Sequence, residues 1–144
     1  MTVQVIQGDW QTLGQRASEL RRRVFIDEQQ VPEAEEWDGQ DPDCLHFLAC
    51  ENGQPIGTAR LLPDGHIGRV AVLGQARGRG IGVRLMREAI AAARLRGHEE
   101  AVLAAQIQAM PFYERLGFQA YGEEFLDAGI PHRNMRLILS SCSC

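Results

Sequence analysis

The sequence lacks long apolar runs, an excess of basic residues and a recognisable export signal. No stretch approaches the roughly 20 apolar residues of a membrane-spanning helix, so we predict no membrane partner. The 19 acidic residues outnumber the 15 basic ones, for a net charge of -4. A nucleic-acid partner bound through global positive charge is therefore not predicted. The first residues show no basic segment followed by an apolar one, so we expect a cytoplasmic protein.

The sequence also lacks the cysteine content of a disulfide scaffold, with only four cysteines, Cys44, Cys50, Cys142 and Cys144. The Cys142-x-Cys144 spacing supplies two thiolates, but no second Cys or His pair completes a zinc site. We therefore predict no metal and free thiols in a reducing compartment. The composition, 44% hydrophobic and 24% charged, is typical of one globular domain. We place this domain at residues 1–140 and a short flexible tail at residues 141–144.

Hydrophobic periodicity predicts the order β-α-βββ-α-β-α-β, which indicates an α+β domain with a mixed sheet. Helices are expected at residues 10–24, 81–96 and 109–116, the first of them capped by Asp9. Strands are expected at residues 3–7, 46–51, 55–62, 67–73, 101–105 and 136–139. Asn52-Gly53 predicts a tight hairpin turn, so the second to fourth strands form an antiparallel meander. The acidic segment at residues 32–43 is predicted to be an exposed loop, and Arg21, Arg22 and Arg23 to face solvent.

A loop rich in glycine and arginine, residues 74–80, joins a strand to the longest predicted helix. Glycine lets the backbone turn tightly and approach a ligand, and a helix start presents free N–H groups. Arg77, Arg79 and Arg84 add positive charge. The loop therefore predicts a pyrophosphate cradle, with a plain turn as the alternative. It lacks the Gly-Lys-Ser/Thr end of a Walker A loop and follows a meander, so neither a P-loop nor a Rossmann site is predicted.

Two motifs together resemble the GNAT superfamily of N-acetyltransferases. Arg77-x-x-Gly80-x-Gly82, after a Val-Ala-Val strand, is similar to the acetyl-CoA motif of that superfamily. Residues 106–118, QIQAMPFYERLGF, are similar to its Asn-x-x-Ala…Phe-Tyr-x-x-x-Gly-Phe segment. Residues 24–32 and 124–132 resemble a narrower ElaA- or YjcF-like bacterial subgroup. The resemblance implies a mixed, mostly antiparallel sheet with flanking helices and a splayed strand pair that holds acetyl-CoA.

The resemblance also implies which residues bind acetyl-CoA. Val70, Ala71 and Val72 contact the pantetheine arm, and the Val72 amide polarises the thioester carbonyl. Backbone amides of the loop hold the pyrophosphate, and the residues concerned are Arg77, Gly78, Arg79, Gly80, Ile81, Gly82 and Val83. Gln106 stands where the superfamily usually has Asn, and is expected to bond the cofactor or a water. Tyr113 matches the tyrosine that protonates the leaving thiolate, with a half-buried packing role as the alternative.

The acceptor side is open to several interpretations. Glu28, Glu124 and His132 are the candidate bases, and each has a surface or structural role as its alternative. Histidine is the side chain whose ordinary pKa lies nearest neutrality. The acidic segment attracts a cationic amine by its local potential, or is simply a solvated loop. No cysteine lies in the catalytic motifs, so direct attack by a neutral amine is expected without an acyl-enzyme.

The predicted function is acetyl-CoA-dependent transfer of an acetyl group to a primary amine, with a small-molecule amine as the expected partner. One alternative is a CoA-binding or regulatory module that no longer catalyses. Another is an acetyltransferase that acts on lysine in proteins or peptides. A homodimer is common in the superfamily and is compatible with this interpretation.

Overall fold

The computed structural model describes residues 2–139, so the predicted tail with Cys142 and Cys144 lies outside the described residues. The strands are β1 (Val3–Gly8), β2 (Leu45–Glu51), β3 (Gln54–Leu61), β4 (Ile67–Val72), β5 (Glu100–Gln106), β6 (Gln119–Asp127) and β7 (Ile130–Ile138). The helices are α1 (Trp10–Arg21), α2 (Glu33–Glu36), α3 (Ile81–Leu95) and α4 (Met110–Arg115). A π-helical segment, Arg22–Glu28, continues α1.

The strands form two antiparallel sheets that meet at one point. One sheet has the order β1-β2-β3-β4 and the other has the order β5-β7-β6. His66 and Val102 form an isolated parallel bridge between the sheets, and the Val102 N–H donates to the Gly65 carbonyl at 3.2 Å. Beyond this bridge β4 and β5 belong to different sheets in the described part of the chain. The predicted α+β fold with a splayed strand pair is confirmed.

The hydrophobic core lies between α3 and the two sheets. The predicted apolar face of α3 is buried, and its members include Ile81, Leu85, Met86, Ala89 and Ala93. This face packs in one cluster with side chains from both sheets, among them Phe47, Leu61, Leu103 and Met135. A fully buried large apolar side chain contributes roughly 1.5–3 kcal/mol. The core therefore joins the two sheets even though their hydrogen-bonded ladders separate.

Local sequence signals place most of the element ends correctly. Asp9 caps α1, because its Oδ1 accepts a hydrogen bond from the Thr12 N–H at 2.9 Å. Asn52 and Gly53 have φ angles of 54° and 78°, the left-handed pair that a tight hairpin turn needs. The predicted helix at residues 109–116 is α4, which begins at Met110 with Pro111 in its first turn.

The predicted end of the chain is wrong, because β6 and the first half of β7 were not expected. The two strands form a hairpin whose turn holds Ala128 and Gly129 at positive φ. A register shift between Tyr121 and Phe125 interrupts the alternation along β6, so its sequence shows no clear period of two. The strand is also an edge of its sheet, where charged residues such as Glu123 are common.

The prediction that Arg21 faces solvent is wrong, and the acidic segment is mostly exposed as predicted but is not a plain loop. The Arg21 side chain is only 1% exposed. Its Nε donates to Glu36 Oε2 at 2.8 Å and its Nη1 donates to Asp41 Oδ1 at 2.7 Å. Trp37 stacks on the guanidinium at 5.1 Å. The acidic segment therefore folds onto the protein through α2 and a 3-10 turn, rather than lying free in solvent.

Six charged side chains form what we call the ion network. Its members are Arg21, Arg60, Arg69, Glu36, Asp38 and Asp41. Arg60 donates to Asp41 at 3.0 Å and to Asp38, and its hydrogen bond holds the pKa of Asp38 well below the ordinary value. Burial alone would raise the pKa of Asp41, but Arg21 and Arg60 outweigh it and the net shift is downward. The network is therefore charged and internally balanced.

Loss of one charge from the ion network should destabilise the fold strongly. The substitution Glu36→Gln removes one of the two carboxylates that pair with buried Arg21, together with a partner of Arg69, for which about 3 kcal/mol is expected. Glu33→Gln on the same helix is the matched control, because its pair with Arg22 is solvent-exposed and should matter far less. Urea unfolding followed by circular dichroism measures both. Equal midpoints for the two variants would contradict a structural role of the network.

Stability should fall as pH drops below about 6.5, the ordinary pKa of histidine. His46 is buried and its Nε2–H donates to the Asp41 carbonyl at 2.9 Å; burial lowers its pKa below the ordinary value. The unfolded chain therefore binds this proton more readily than the folded chain, and protonation favours unfolding. Urea unfolding between pH 7.5 and pH 5 should show this slope, and His46→Gln should flatten it. An unchanged slope in the variant would rule out His46 as its source.

Candidate active site

A β-bulge in β4 bends the strand next to the splay. Between Thr58 and Arg60 of β3, the facing strand β4 contains one extra residue, at Arg69 and Val70. Arg69 has a φ of 51°, a left-handed conformation that is uncommon outside glycine. Its guanidinium is held by the ion network, with Nε 3.3 Å from Glu36 Oε2. The ion pairs therefore compensate the backbone strain of the bulge.

Within residues 2–139, the edge of β4 that faces the splay has no partner strand beyond the His66–Val102 bridge. The Leu73 N–H donates to the Ile56 carbonyl of β3 at 2.9 Å. Backbone groups of successive strand residues point to opposite edges, so those of Val72 face away from β3. The Val72 carbonyl accepts from Arg77 Nε at 2.9 Å, on that side. Val70 lines the cavity described below and Ala71 is buried, so the three predicted arm-binding residues have different surroundings.

The predicted pyrophosphate loop presents backbone N–H groups at the start of α3. Gly78 and Gly80 have φ angles of 80° and 78°, which side-chain-bearing residues rarely adopt. Gly80 is the N-cap of α3, and no side chain caps the helix. The first helical hydrogen bond is made by the Arg84 N–H to the Gly80 carbonyl at 3.1 Å. The amides of Ile81 to Val83 are therefore available to an anion, as a pyrophosphate would require.

The three arginine side chains near this loop make hydrogen bonds to other residues of the protein. Arg77 pairs with Glu28 at 2.7 Å, Arg79 pairs with Glu51, and Arg84 donates to the Val3 carbonyl at 2.7 Å. The positive charge predicted at the loop is thus largely neutralised, and the fit to pyrophosphate rests on the backbone. Sequence reasoning missed these pairs because their partners lie far apart along the chain.

Glu28 and Glu124, two of the three candidate bases, lie outside the cavity. The hydrogen bond from Arg77 lowers the pKa of Glu28, which makes its carboxylate a weaker base. Glu124 is exposed on β6. Its neighbour Phe125 pairs with His132 across the hairpin and stacks on that ring at 5.9 Å. Glu124 itself is not among the residues that line the cavity.

A cavity of about 530 Å³ opens at the splay between the two sheets. It is bounded by β4, β5, β7, α2, α4 and the π-helical segment. The predicted site residues that line it are Val70, Gln106, Tyr113 and His132. Four members of the ion network form part of its wall, namely Arg60, Arg69, Glu36 and Asp38. The cavity thus brings the cofactor-side strand together with two of the titratable side chains predicted to be catalytic.

His132 lines this cavity, and its hydrogen bond fixes the tautomer of the neutral ring. The residue is 9% exposed and its Nδ1 lies 2.7 Å from the Ile130 carbonyl oxygen. Because a carbonyl only accepts, Nδ1 carries the hydrogen and the neutral ring has its lone pair on Nε2. Among the described residues Nε2 has no hydrogen-bond partner, and it is not sealed from the cavity. This is the geometry of an available proton acceptor.

Tyr113 reaches the cavity from α4. Its ring makes edge contacts with Phe112 at 5.0 Å and Phe118 at 6.1 Å, so packing fixes its orientation. Burial raises the pKa of Tyr113 to about 12, and the phenol is protonated at neutral pH. Within residues 2–139 its hydroxyl makes no hydrogen bond to protein, which leaves the O–H free for a ligand. Packing therefore fixes the Tyr113 ring while its hydroxyl stays available to a ligand.

The Gln106 side chain makes hydrogen bonds to other side chains of the protein, one of them across the splay. Its Nε2 donates to Gln29 Oε1 at 2.9 Å, and its Oε1 accepts from Gln108. The first bond links β5 to the turn that follows the π-helical segment. The predicted contact of Gln106 with the cofactor stays a prediction.

Asp127 lines the cavity and was missed by sequence reasoning. It ends β6 opposite Ile130, on the same face of the hairpin as Phe125 and His132. A turn assigned at Ala128-Gly129 would have predicted the β6–β7 hairpin, and the hairpin would have placed Asp127 on the same face as His132.

Comparison with known proteins identifies relatives of the whole domain. Residues 11–139 match the family model described as "Acetyltransferase (GNAT) domain". The Bacillus subtilis protein named uncharacterized N-acetyltransferase YjcF is 38% identical over 120 residues, which cover 81% of this chain and 86% of that protein. These matches confirm the resemblance predicted from the two motifs.

Solved structures agree with this result. An acyl-CoA N-acyltransferase from Pseudomonas aeruginosa is 34% identical with a TM-score of 0.84, covering 94% of this chain and 99% of that one. Escherichia coli ElaA is 28% identical with a TM-score of 0.84, covering 93% of this chain and 99% of that one. Separately, none of the helices within residues 2–139 is long and apolar enough to cross a membrane.

Proposed function

The chain belongs to the GNAT family of acetyltransferases, and on that premise we propose that it transfers the acetyl group of acetyl-CoA directly to a primary amine. The observation that carries the proposal is the cavity at the splay, where His132 Nε2 and the Tyr113 hydroxyl are both available. This arrangement supports an active enzyme. A CoA-binding module without catalysis would need neither His132 Nε2 nor the Tyr113 hydroxyl in the cavity.

The backbone of β4 and of the loop fits acetyl-CoA, which supplies an acetyl group activated as a thioester. The amides of Ile81, Gly82 and Val83 would hold the pyrophosphate at the positive end of α3. A Cβ on Gly82 would lie 3.2 Å from Phe112 Cζ, so a larger residue there would require the Phe112 ring to shift. The free edge of β4 would hold the pantetheine arm, with the Val72 N–H as a fixed donor to the developing oxyanion.

His132 would act as the general base. An amine reaches the cavity as an ammonium ion at neutral pH, since its ordinary pKa is about 10.4. The free Nε2 accepts that proton, while Nδ1–H remains bonded to the Ile130 carbonyl and stabilises the resulting imidazolium. The C–N bond forms as the C–S bond breaks, and the products are an amide, a thiol and one proton that His132 passes to solvent.

Tyr113 would stabilise the leaving sulfur by donating a hydrogen bond. The ordinary pKa of a thiol is about 8.5, well below the value of about 12 for Tyr113. Complete proton transfer from the phenol is therefore uphill, and its main contribution is donation to sulfur as negative charge develops.

Thioester loss from acetyl-CoA across a panel of primary amines tests the proposal, with binding of acetyl-CoA measured by calorimetry in the same buffer. The panel should include lysine peptides, which address the protein-acetyltransferase alternative. The enzyme contains no lysine, so acetylation of its own side-chain amines cannot contribute to the signal. Tight binding with no amine-dependent thioester loss would support the non-catalytic module and contradict the proposal.

Removal of the Tyr113 hydroxyl should lower turnover far more than cofactor affinity. For Tyr113→Phe we expect kcat to fall about 10²-fold, typical of losing one donor to a developing anion. The affinity for acetyl-CoA should change little. Tyr121→Phe is the matched control, because Tyr121 lies on β6 against Arg136 and does not line the cavity. Full turnover by Tyr113→Phe would disprove the assigned role.

Replacement of His132 should produce a defect that depends on pH. We expect His132→Gln to lower kcat/KM about 10²-fold at neutral pH, because the base is lost. The deficit should shrink as pH rises toward about 10, where the amine deprotonates without help. His98→Gln is the control, since His98 lies beyond α3 and outside the cavity. A deficit that is constant with pH would indicate a structural role instead.

A further inference from the structure

The charges that line the cavity do not balance. Its charged lining residues include four carboxylates, from Glu35, Glu36, Asp38 and Asp127, and two guanidiniums, from Arg60 and Arg69, which leaves two negative charges. Both guanidiniums belong to the ion network, where Glu36 and Asp38 pair with them. In the part of the chain that the structure describes, neither Glu35 nor Asp127 makes an ion pair. The surplus negative charge therefore resides on these two carboxylates.

The two unpaired carboxylates belong to exposed residues that line the same cavity as His132. Asp127 shares a face of the β6–β7 hairpin with His132 and lies two positions along β6 from Phe125, the residue opposite His132. Two positions along a strand are about 7 Å apart, so this is the separation of Asp127 from Phe125 along β6. Glu35 is held at the cavity through its backbone, because its carbonyl accepts from Arg69 Nη2 at 3.4 Å. A buried proton acceptor, His132 Nε2, thus lies inside a cavity whose unpaired charge is negative.

We propose that the acceptor is a linear aliphatic diamine, bound as a dication. This inference rests on the proposed function and names the substrate class. The near nitrogen gives its proton to His132 Nε2 and takes the acetyl group, while the remote ammonium lies near Asp127 and Glu35. Apolar side chains that line the same cavity, such as Phe25, Leu103 and Ile130, contact the methylene groups. The product is a monoacetylated amine that keeps one positive charge.

The proposal makes the remote substituent the determinant of specificity. A carboxylate or phosphate in that position would face two carboxylates with no free cation among the described lining residues, so it should be rejected. A methyl group would avoid the repulsion but gain no ion pair. Exposed ion pairs are individually weak, so we expect two of them to give about a tenfold preference.

Three acceptors of equal chain length isolate this effect: 1,4-diaminobutane, 1-aminobutane and 4-aminobutanoate. With the full-length enzyme and acetyl-CoA, kcat/KM should fall about tenfold from the diamine to the monoamine and further for the amino acid. Asp127→Asn should lower kcat/KM for the diamine several-fold more than that for 1-aminobutane, so the ratio of the two values should fall. Glu123→Gln is the matched control, since Glu123 is exposed on the same strand outside the cavity. The preference should weaken with added salt.

The outcomes separate this inference from the proposed function. Equal kcat/KM for the three acceptors, or a preference for 4-aminobutanoate, would overturn the diamine assignment and leave the acetyltransferase intact. Bound acetyl-CoA without turnover of any of the three would also overturn it. A failure of the protein to bind acetyl-CoA at all would overturn the proposed function itself.

Discussion

The ion network is the constraint on which the active-site cavity depends. It brings three arginines and three carboxylates from α1, β3, β4 and the acidic segment to one place, and it holds Arg69 at a φ of 51°. A side-chain-bearing residue in that conformation costs of order 1 kcal/mol and persists only when its surroundings enforce it. Here the surroundings are Glu36 and Asp38. Buried ion pairs often contribute little net stability, but breaking one is costly, so such a network favours a single backbone geometry.

Under the proposed function, that geometry separates recognition of the cofactor from recognition of the acceptor. The bulge at Arg69 bends β4 away from β5, and the sheets meet only at the His66–Val102 bridge in the described chain. On the cofactor side, the available groups belong to the backbone of β4 and of the first turn of α3. On the acceptor side they are side chains from the β6–β7 hairpin and from α2. Under the proposed function, the amine specificity can therefore change without altering the backbone that holds acetyl-CoA.

Features set by neighbouring residues were predictable, whereas features set by distant partners were not. Asn52-Gly53 specified its turn, and the apolar face of α3 followed from helical spacing. The burial of Arg21 depends on Glu36 and Asp41, 15 and 20 residues away, and local patterns carry no such information. Glu28 pairs with Arg77 across 49 residues for the same reason. The bulge in β6 interrupts the alternation of side chains, so the sequence pattern does not predict the strand that carries Asp127. The resemblance to the superfamily supplied the motif roles, while the tautomer of the neutral His132 ring required the contact with Ile130.

Amide hydrogen exchange at β4, measured by NMR with and without acetyl-CoA, tests the central claim most directly. The claim is that the ion network keeps one edge of β4 unpaired for the cofactor. The Val72 amide should exchange rapidly in the free protein and become protected when acetyl-CoA is added. The Leu73 amide, bonded to the Ile56 carbonyl, should be protected in both states and serves as the internal reference. A Val72 amide that is already protected in the free protein, or that acetyl-CoA leaves unprotected, would contradict the account.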